Sequence, residues 1–344
     1  MLDSMTTTDT ASLAEEYRAL TEGCALVDRS ERGKLALTGS GAIEFLNGQV
    51  TNDVEALTPG TGCYAAFLTH KGKMLGDLRV LIADRELLLD TERTALQALF
   101  DMIRRFKIGY DVELHKRTLE RSLLSLIGPG TDEIAAKAFG ADPTSGSGPG
   151  DLPEHQDSHV LVSLDQTPVR LIRTDVGIEA LLDSAAVDTA RDALERAGAS
   201  SVSEAAAEIL RVERGRPRYG IDLDESTIPQ EAGLNERAVS FTKGCYVGQE
   251  TVARLYYKGK PNRHLRGLRL SEPVEPGAEL LADRRSRRST IGGERSVGHL
   301  GSSVVSPVRG PIGLALVRRE AEPGMTVAVG EHGASAVVSE LPFR

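Results

Sequence analysis

The sequence predicts an α+β fold of two or three domains that ends in a small antiparallel barrel or sandwich. Three observations lead there. The chain has 344 residues, more than one ordinary core accommodates. Its first part mixes strand-period and helix-period segments. After Pro261 the texture changes to short apolar runs separated by turns containing Gly and Pro, the pattern of a small all-β unit. A boundary near residue 262 follows, with one region over 1–262 and a β-rich region over 263–344.

Taken in order, residues 34–39 read as a short strand and residues 41–47 as a helix that can bury Ile43, Phe45 and Leu46. Residues 78–83 and 86–90 read as a hairpin with its turn near Asp84 and Arg85. Beyond Thr91, a candidate cap, Leu96, Leu99, Phe100, Ile103 and Phe106 approximate one helical face, which Gly109 ends. Residues 123–127 form another apolar run. The Gly-, Ser-, Pro- and Asp-rich residues 141–157 are expected to be an exposed loop. Strands are predicted at 159–164 and 169–174, then helices at 185–197 and 204–213, the second stopped by Gly215 and Pro217. The last region has strands at 265–270, 312–317 and 326–329, and a charged loop, Arg284-Arg285-Ser286-Arg287-Arg288.

Composition narrows the function classes. Hydrophobic residues at 40% and charged residues at 26% describe an ordinary globular protein. A net charge of −9 argues against a general nucleic-acid binder, so no direct nucleic-acid contact is expected. Cys24, Cys63 and Cys245 lie far apart and form no CxxC pair. That excludes a disulfide framework, a zinc ribbon and a four-cysteine iron–sulfur cluster, and it fits a reducing compartment. Residues 1–20 carry acids and no apolar stretch, and no run of about 18 apolar residues occurs anywhere. A cytoplasmic monomer that neither enters nor spans a membrane is expected.

Several faint signals carry little. His155 and His159 have the i, i+4 spacing of a helical metal pair but sit in or beside the predicted loop, so no metal site is expected. His70 reads as a surface histidine. Gly39-Ser40-Gly41 lacks the later glycine of a dinucleotide fingerprint. Arg211, Arg214, Arg216 and Arg218 suit either a positive rim for an anionic tail or a solvated helix end.

The chemistry concentrates in Lys243-Gly244-Cys245-Tyr246-Val247-Gly248-Gln249-Glu250. Two glycines let the backbone turn sharply and approach a ligand. Lys243 places a cation near Cys245, which favours the thiolate and makes both candidate catalytic residues. Gln249 and Glu250 offer an amide and a carboxylate suited to the edge of a polar heterocycle. By itself the string suits either a ligand-facing loop with an activated thiol or a Gly-rich turn around a buried cysteine.

The string resembles the defining motif of the YgfZ family of folate-binding proteins, relatives of the glycine-cleavage T protein (aminomethyltransferase). Ile228-Pro229-Gln230-Glu231-Ala232-Gly233-Leu234 upstream and Thr251-Val252-Ala253-Arg254 downstream agree with it. So do Phe45-Leu46-Asn47-Gly48-Gln49-Val50-Thr51-Asn52-Asp53-Val54 and Leu68-Thr69-His70-Lys71-Gly72-Lys73-Met74-Leu75-Gly76-Asp77. The resemblance spans nearly the whole chain. It implies a T-protein-like ring of two interwoven α/β lobes plus a C-terminal antiparallel β-barrel. Tetrahydrofolate or a one-carbon derivative would sit in a central channel, contacted by residues from Asn52, Asp53, Asp77, Glu179, Tyr246, Gln249, Glu250 and Arg254.

The resemblance further implies an accessory role in iron–sulfur cluster assembly or repair, with assembly proteins or client enzymes, including tRNA-thiomethylating radical enzymes, as partners. The alternative is a folate-dependent aminomethyltransferase or demethylase acting on a glycine-type amine. Against it, an acidic position of the T protein falls on Gly76, and Asp77 would point to the opposite face of an extended segment. Asp77 itself reads as a strand-edge or turn carboxylate, Asn52 and Asp53 as a turn or cap pair, and Glu179 as a solvated strand-end acid. Each stands beside its ligand-binding reading.

Overall fold

The computed structural model describes residues 7–83, 85–283, 294–331 and 333–344. The expected Arg284–Arg288 loop, and Asp84 of the predicted turn, lie outside the described residues. The chain opens with α1 (Thr7–Glu22), β1 (Ala25–Asp28), β2 (Gly33–Thr38), α2 (Ala42–Asn47), β3 (Gly62–Leu68) and β4 (Met74–Ile82). It continues with β5 (Leu87–Thr91), α3 (Leu96–Phe106), β6 (Glu113–Lys116), β7 (Arg121–Ile127), α4 (Thr131–Ala138) and β8 (Gly140–Ala141). Next come β9 (His159–Leu164), β10 (Thr167–Arg173), β11 (Gly177–Asp183), α5 (Val187–Ala197), β12 (Ser200–Ser201) and α6 (Glu204–Glu213). The remainder is α7 (Asn235–Ala238), α8 (Gln249–Lys258), β13 (Arg263–Leu270), β14 (Glu279–Asp283), β15 (Glu294–Ser306), β16 (Gly310–Arg318), β17 (Thr326–Val329) and β18 (Ala334–Ser339).

These elements form two compact units. One contains the chain up to Phe67, Gly76–Ala207 and Thr242–Tyr246; the other contains Leu68–Leu75, Glu208–Phe241 and Val247–Arg344.

In the first unit a seven-stranded sheet runs in the order β12-β1-β7-β11-β10-β9-β8, and a five-stranded sheet in the order β3-β4-β5-β2-β6. Ala36, Leu81, Leu88 and Ile172 join the two sheets in one apolar cluster. Both faces of β4 are therefore covered, which explains why its burial does not alternate. The α3 helix forms where its periodicity predicts. Leu99, Met102 and Ile103 are its buried face, and Phe106 remains exposed at the helix end. Thr91 does not cap it: it closes β5, and its buried hydroxyl donates to the Asp77 carbonyl. The expected loop at 141–157 contains a single helical turn at 149–151, and it buries Asp142, Leu152 and Asp157.

In the second unit six antiparallel strands close a barrel in the order β13-β16-β15-β14-β17-β18. A barrel, not a sandwich, is thus the outcome. Leu268, Leu280, Val297, Leu300, Val317, Val327 and Val338 fill its interior. Arg211 of α6 is largely buried and donates to Glu208, to Asp222 at 2.8 Å and to Ser302. That commitment corrects the positive-rim reading of Arg211, which is an internal strut.

Candidate functional site

Residues 47–54 build a tight, side-chain-satisfied turn in the first unit. The Asn47 side chain accepts from the Val54 N–H at 2.9 Å, and Asn52 Nδ2 donates to the Tyr64 carbonyl at 2.9 Å. Asn52 Oδ1 accepts from the Asp53 N–H, and Asp53 Oδ1 from the Ala56 N–H at 3.1 Å. Thr51, fully buried, exchanges two hydrogen bonds with the Ala66 backbone. Asn52 and Asp53 are therefore turn residues in this chain, as short polar side chains favour.

Lys243 fastens that turn. Its buried ammonium donates to the carbonyl oxygens of Asn47 at 2.5 Å, Val50 at 2.9 Å and Asn52 at 2.7 Å. Three N–H donors meet three acceptors. Burial lowers its pKa to about 8, against the opposing pull of Asp53, Cys63 and Glu55. The expectation that Lys243 activates Cys245 is corrected by this arrangement. The Cys63 thiol feels the ammonium, but burial outweighs it and pushes that thiol up to about 12, which disfavours the thiolate. Cys245 is exposed. Tyr246 is buried with its ring 5.3 Å from the Lys243 ammonium, a cation–π contact.

From Val247 the signature belongs to the second unit. Gly248 adopts φ +85°, and a Cβ there would lie 2.6 Å from the Thr69 carbonyl. Gly72 answers it with φ +74°, where a Cβ would lie 2.7 Å from Thr251. The signature and the Leu68–Asp77 block thus meet glycine to glycine, an approach that any side chain would block. Gln249 and Glu250 do not continue a loop; they open α8. Glu250 pairs with Arg254 one turn on at 2.5 Å, with both side chains mostly exposed. Gln230 anchors the same helix from below, its Nε2 donating to the Val252 carbonyl at 2.6 Å.

Asp77 lies inside β4 and is buried, which corrects its reading as a strand-edge or turn acid. Tyr64 donates its hydroxyl to the Asp77 carboxylate at 2.6 Å. Burial raises the Asp77 pKa to about 6 despite that hydrogen bond, so the group changes protonation near neutral pH. Its neighbour Gly76 faces the other way. A Cβ at Gly76 would lie 2.6 Å from both Ala95 Cβ and the Phe67 ring. The space a side chain would need at Gly76 is already filled.

Glu179 is likewise no solvated acid. It is buried in β11 and paired with Arg79 of β4 at 2.6 Å, and Ser125 donates to it at 2.9 Å. Burial alone would raise its pKa, but the Arg79 charge holds the carboxyl below its ordinary value. Arg79 also reaches Asp90 at 3.1 Å, and Arg32 grips Asp90 at 2.9 Å. This ionic cluster between the sheets was not foreseen, because its members are scattered and belong to no motif. Tyr64 was missed for the same reason.

Among the described residues no group of three or more His, Cys, Asp or Glu could hold a metal ion. His159 is buried, accepts or shares a hydrogen bond with Arg170 at 2.8 Å, and has its pKa lowered by burial to about 4. No helix among the described residues is long and apolar enough to cross a membrane.

Two sheets, a closed barrel and a fastened N-terminal turn define a T-protein-like fold. The chain belongs to the GCVT N-terminal domain family, whose sequence model matches residues 6–243, a folate-utilising family. It is similar to a transferase-like chloroplastic protein of Arabidopsis thaliana, 30% identical over 337 residues that cover 96% of this chain and 73% of that one. It is 28% identical to the aminomethyltransferase of Rubrobacter xylanophilus over 97% of this chain and 86% of that one. It is 26% identical to the tRNA-modifying protein YgfZ of Colwellia psychrerythraea over 70% of each chain. In structure it matches the glycine cleavage system aminomethyltransferase T of Bartonella henselae with a TM-score of 0.81 and 24% identity, over 96% of this chain and 89% of that one.

Proposed function

We propose that the chain binds tetrahydrofolate and acts as an accessory protein in iron–sulfur cluster assembly or repair, including for tRNA-thiomethylating radical enzymes. The carrying observation is the space at Gly76, which Phe67 and Ala95 occupy. A carboxylate cannot be placed there, and a general acid or base must reach its proton directly or through one water. This crowding supports the accessory reading over the aminomethyl transfer that the T-protein resemblance would otherwise suggest. The iron–sulfur and tRNA part of the reading is supported by the signature at 243–250 and by the likeness to the Colwellia protein.

The first unit offers polar groups that suit a pterin. Gln49 Oε1 is buried without a hydrogen-bond partner, in the same turn as Asn52, and a bare buried acceptor is satisfied by an N–H donor from a ligand. Asp77 and Tyr64 supply a protonatable carboxyl and a hydroxyl. Bound tetrahydrofolate would supply an amine that carries one-carbon units. Cys245, an exposed thiol beside Gly244, is left to meet a partner.

Calorimetry with tetrahydrofolate tests the first half: heat of binding is expected, and its absence at high micromolar ligand removes folate from the reading. Complementation tests the second half. Wild type is expected to restore iron–sulfur enzyme activity in a strain lacking its YgfZ protein, and Cys245→Ala to restore less; failure of the wild type overturns the accessory role. A second reading, aminomethyl transfer or demethylation of a glycine-type amine, is favoured by the Asp77 carboxyl that titrates at about 6. Consumption of such an amine with tetrahydrofolate, lost in Asp77→Asn, would establish it instead.

A further inference from the structure

Aromatic residues are scarce in this chain, with seven Phe, seven Tyr and no Trp, yet three meet at the C-terminal end of α8. The Phe241 ring stacks on Tyr256 with centroids 3.7 Å apart and planes 16° from parallel. Tyr257 meets Tyr256 edge-on at 5.0 Å. Tyr256 is 51% exposed and Tyr257 67% exposed. Burying a large apolar ring stabilises a fold by about 1.5–3 kcal/mol, and these two rings forgo most of that. Phe241 covers one face of Tyr256, so the exposed surface is held still and loses little freedom on binding.

The stretch of sequence that carries the two tyrosines is basic. From Thr251 to Ser271 the sequence contains six Lys and Arg and no Asp or Glu, within a chain of net charge −9. Four of the six are held inside the unit. Arg254 pairs with Glu250, Arg263 with Glu231, Arg266 with Glu340, and Arg269 donates to the Arg344 carbonyl. Lys258 and Lys260 pair with no carboxylate among the described residues. All five residues of Tyr256-Tyr257-Lys258-Gly259-Lys260 are exposed.

A rigid aromatic face beside unpaired ammoniums is how proteins hold single strands: bases stack on the rings and the cations take phosphates. We propose that the end of α8, Tyr256 to Lys260, binds single-stranded nucleic acid, with Tyr257 as a stacking face and Lys258 and Lys260 as phosphate partners. The net negative charge still opposes binding over the rest of the surface, so the site is local and short.

The test is fluorescence anisotropy of a labelled oligouridylate and of a duplex of equal length, titrated with the full chain. Single-strand binding in preference to duplex is expected, weakening as salt rises. Tyr257→Ala should weaken it by roughly 5- to 150-fold, the value of one stacked base, while Tyr257→Phe, which keeps the ring, should retain it. Lys258→Gln with Lys260→Gln should flatten the slope of log K against log salt by about 1.4. These positions are exposed, so all variants should melt with wild type by circular dichroism. No binding at low salt overturns the proposal. So does binding that prefers duplex or ignores Tyr257→Ala, and so does an acidic protein ligand captured through the same residues without any single-strand affinity.

Discussion

Arg79–Glu179 and Arg254–Glu250 are the same chemical pair in two settings. The first sits between two sheets with each side chain 10% exposed; the second lies along one helix with side chains 66% and 85% exposed. Inside the protein each charge has given up its water, so neither can leave its partner without a large penalty. On the helix, water replaces a lost partner at almost no cost. Glu179 and Glu250 were both expected to contact folate, and the difference ranks them. An acid locked in a buried pair gives a ligand only what Arg79 leaves over, whereas Glu250 and Arg254 can turn to a ligand freely.

Four experiments break or sharpen that contrast. The largest effect is expected from Glu179→Ala, which leaves the buried Arg79 charge with Asp90 alone and should destabilise the protein by up to about 3–5 kcal/mol in urea unfolding. A loss below about 1 kcal/mol would show water reaching the cluster and undo the ranking. Lys243→Met comes next. It leaves three buried carbonyls without their donor and should cost about 2–3 kcal/mol, with the N-terminal turn gaining amide hydrogen exchange before the barrel does.

Asp77→Asn tests a buried acid that pairs with no cation among the described residues. Its folded pKa of about 6 lies above the ordinary carboxylate value, so the folded state holds a proton that the unfolded chain has released. Stability contributed by this group is therefore present below about pH 4 and falls as pH rises towards 6, by about 1–3 kcal/mol. The Asn variant should flatten the urea midpoint over that interval; an unchanged pH profile would show the carboxyl ionised throughout. The smallest effect belongs to Glu250→Gln, about 0.3–0.5 kcal/mol in stability. If Glu250 contacts folate, its calorimetric affinity will change by more than that, and equal small changes in both would remove Glu250 from the site.

The contrast also explains what could be read from the sequence. The α3 face at Leu99 and Ile103, the strand at 159–164 and the helix at 204–213 were legible because periodicity is a local signal. The signature and the two N-terminal blocks were legible as strings. What those strings do was not, since Lys243 finds its acceptors 191 to 196 residues away. Adjacency suggested Cys245 as its partner, and tertiary structure supplied three carbonyls instead. Thr91 reads as a helix cap for the same reason, until β5 extends to include it. The Arg79 cluster left no trace, because charged residues in a strand normally face water and nothing local announces a second sheet above them.

The Lys243 fastening has a consequence for the growing chain. The first unit includes Thr242–Tyr246, so a ribosome must deliver residue 246 before that unit has all of its parts. Until then the 47–54 turn waits with three carbonyls open, and the segments of the second unit at 68–75 and 208–241 have already been synthesised. Synthesis at about 5–20 residues per second makes that wait roughly ten seconds or longer. A nascent chain halted just before Lys243 should be cut by protease within the turn, and one released beyond Tyr246 should resist.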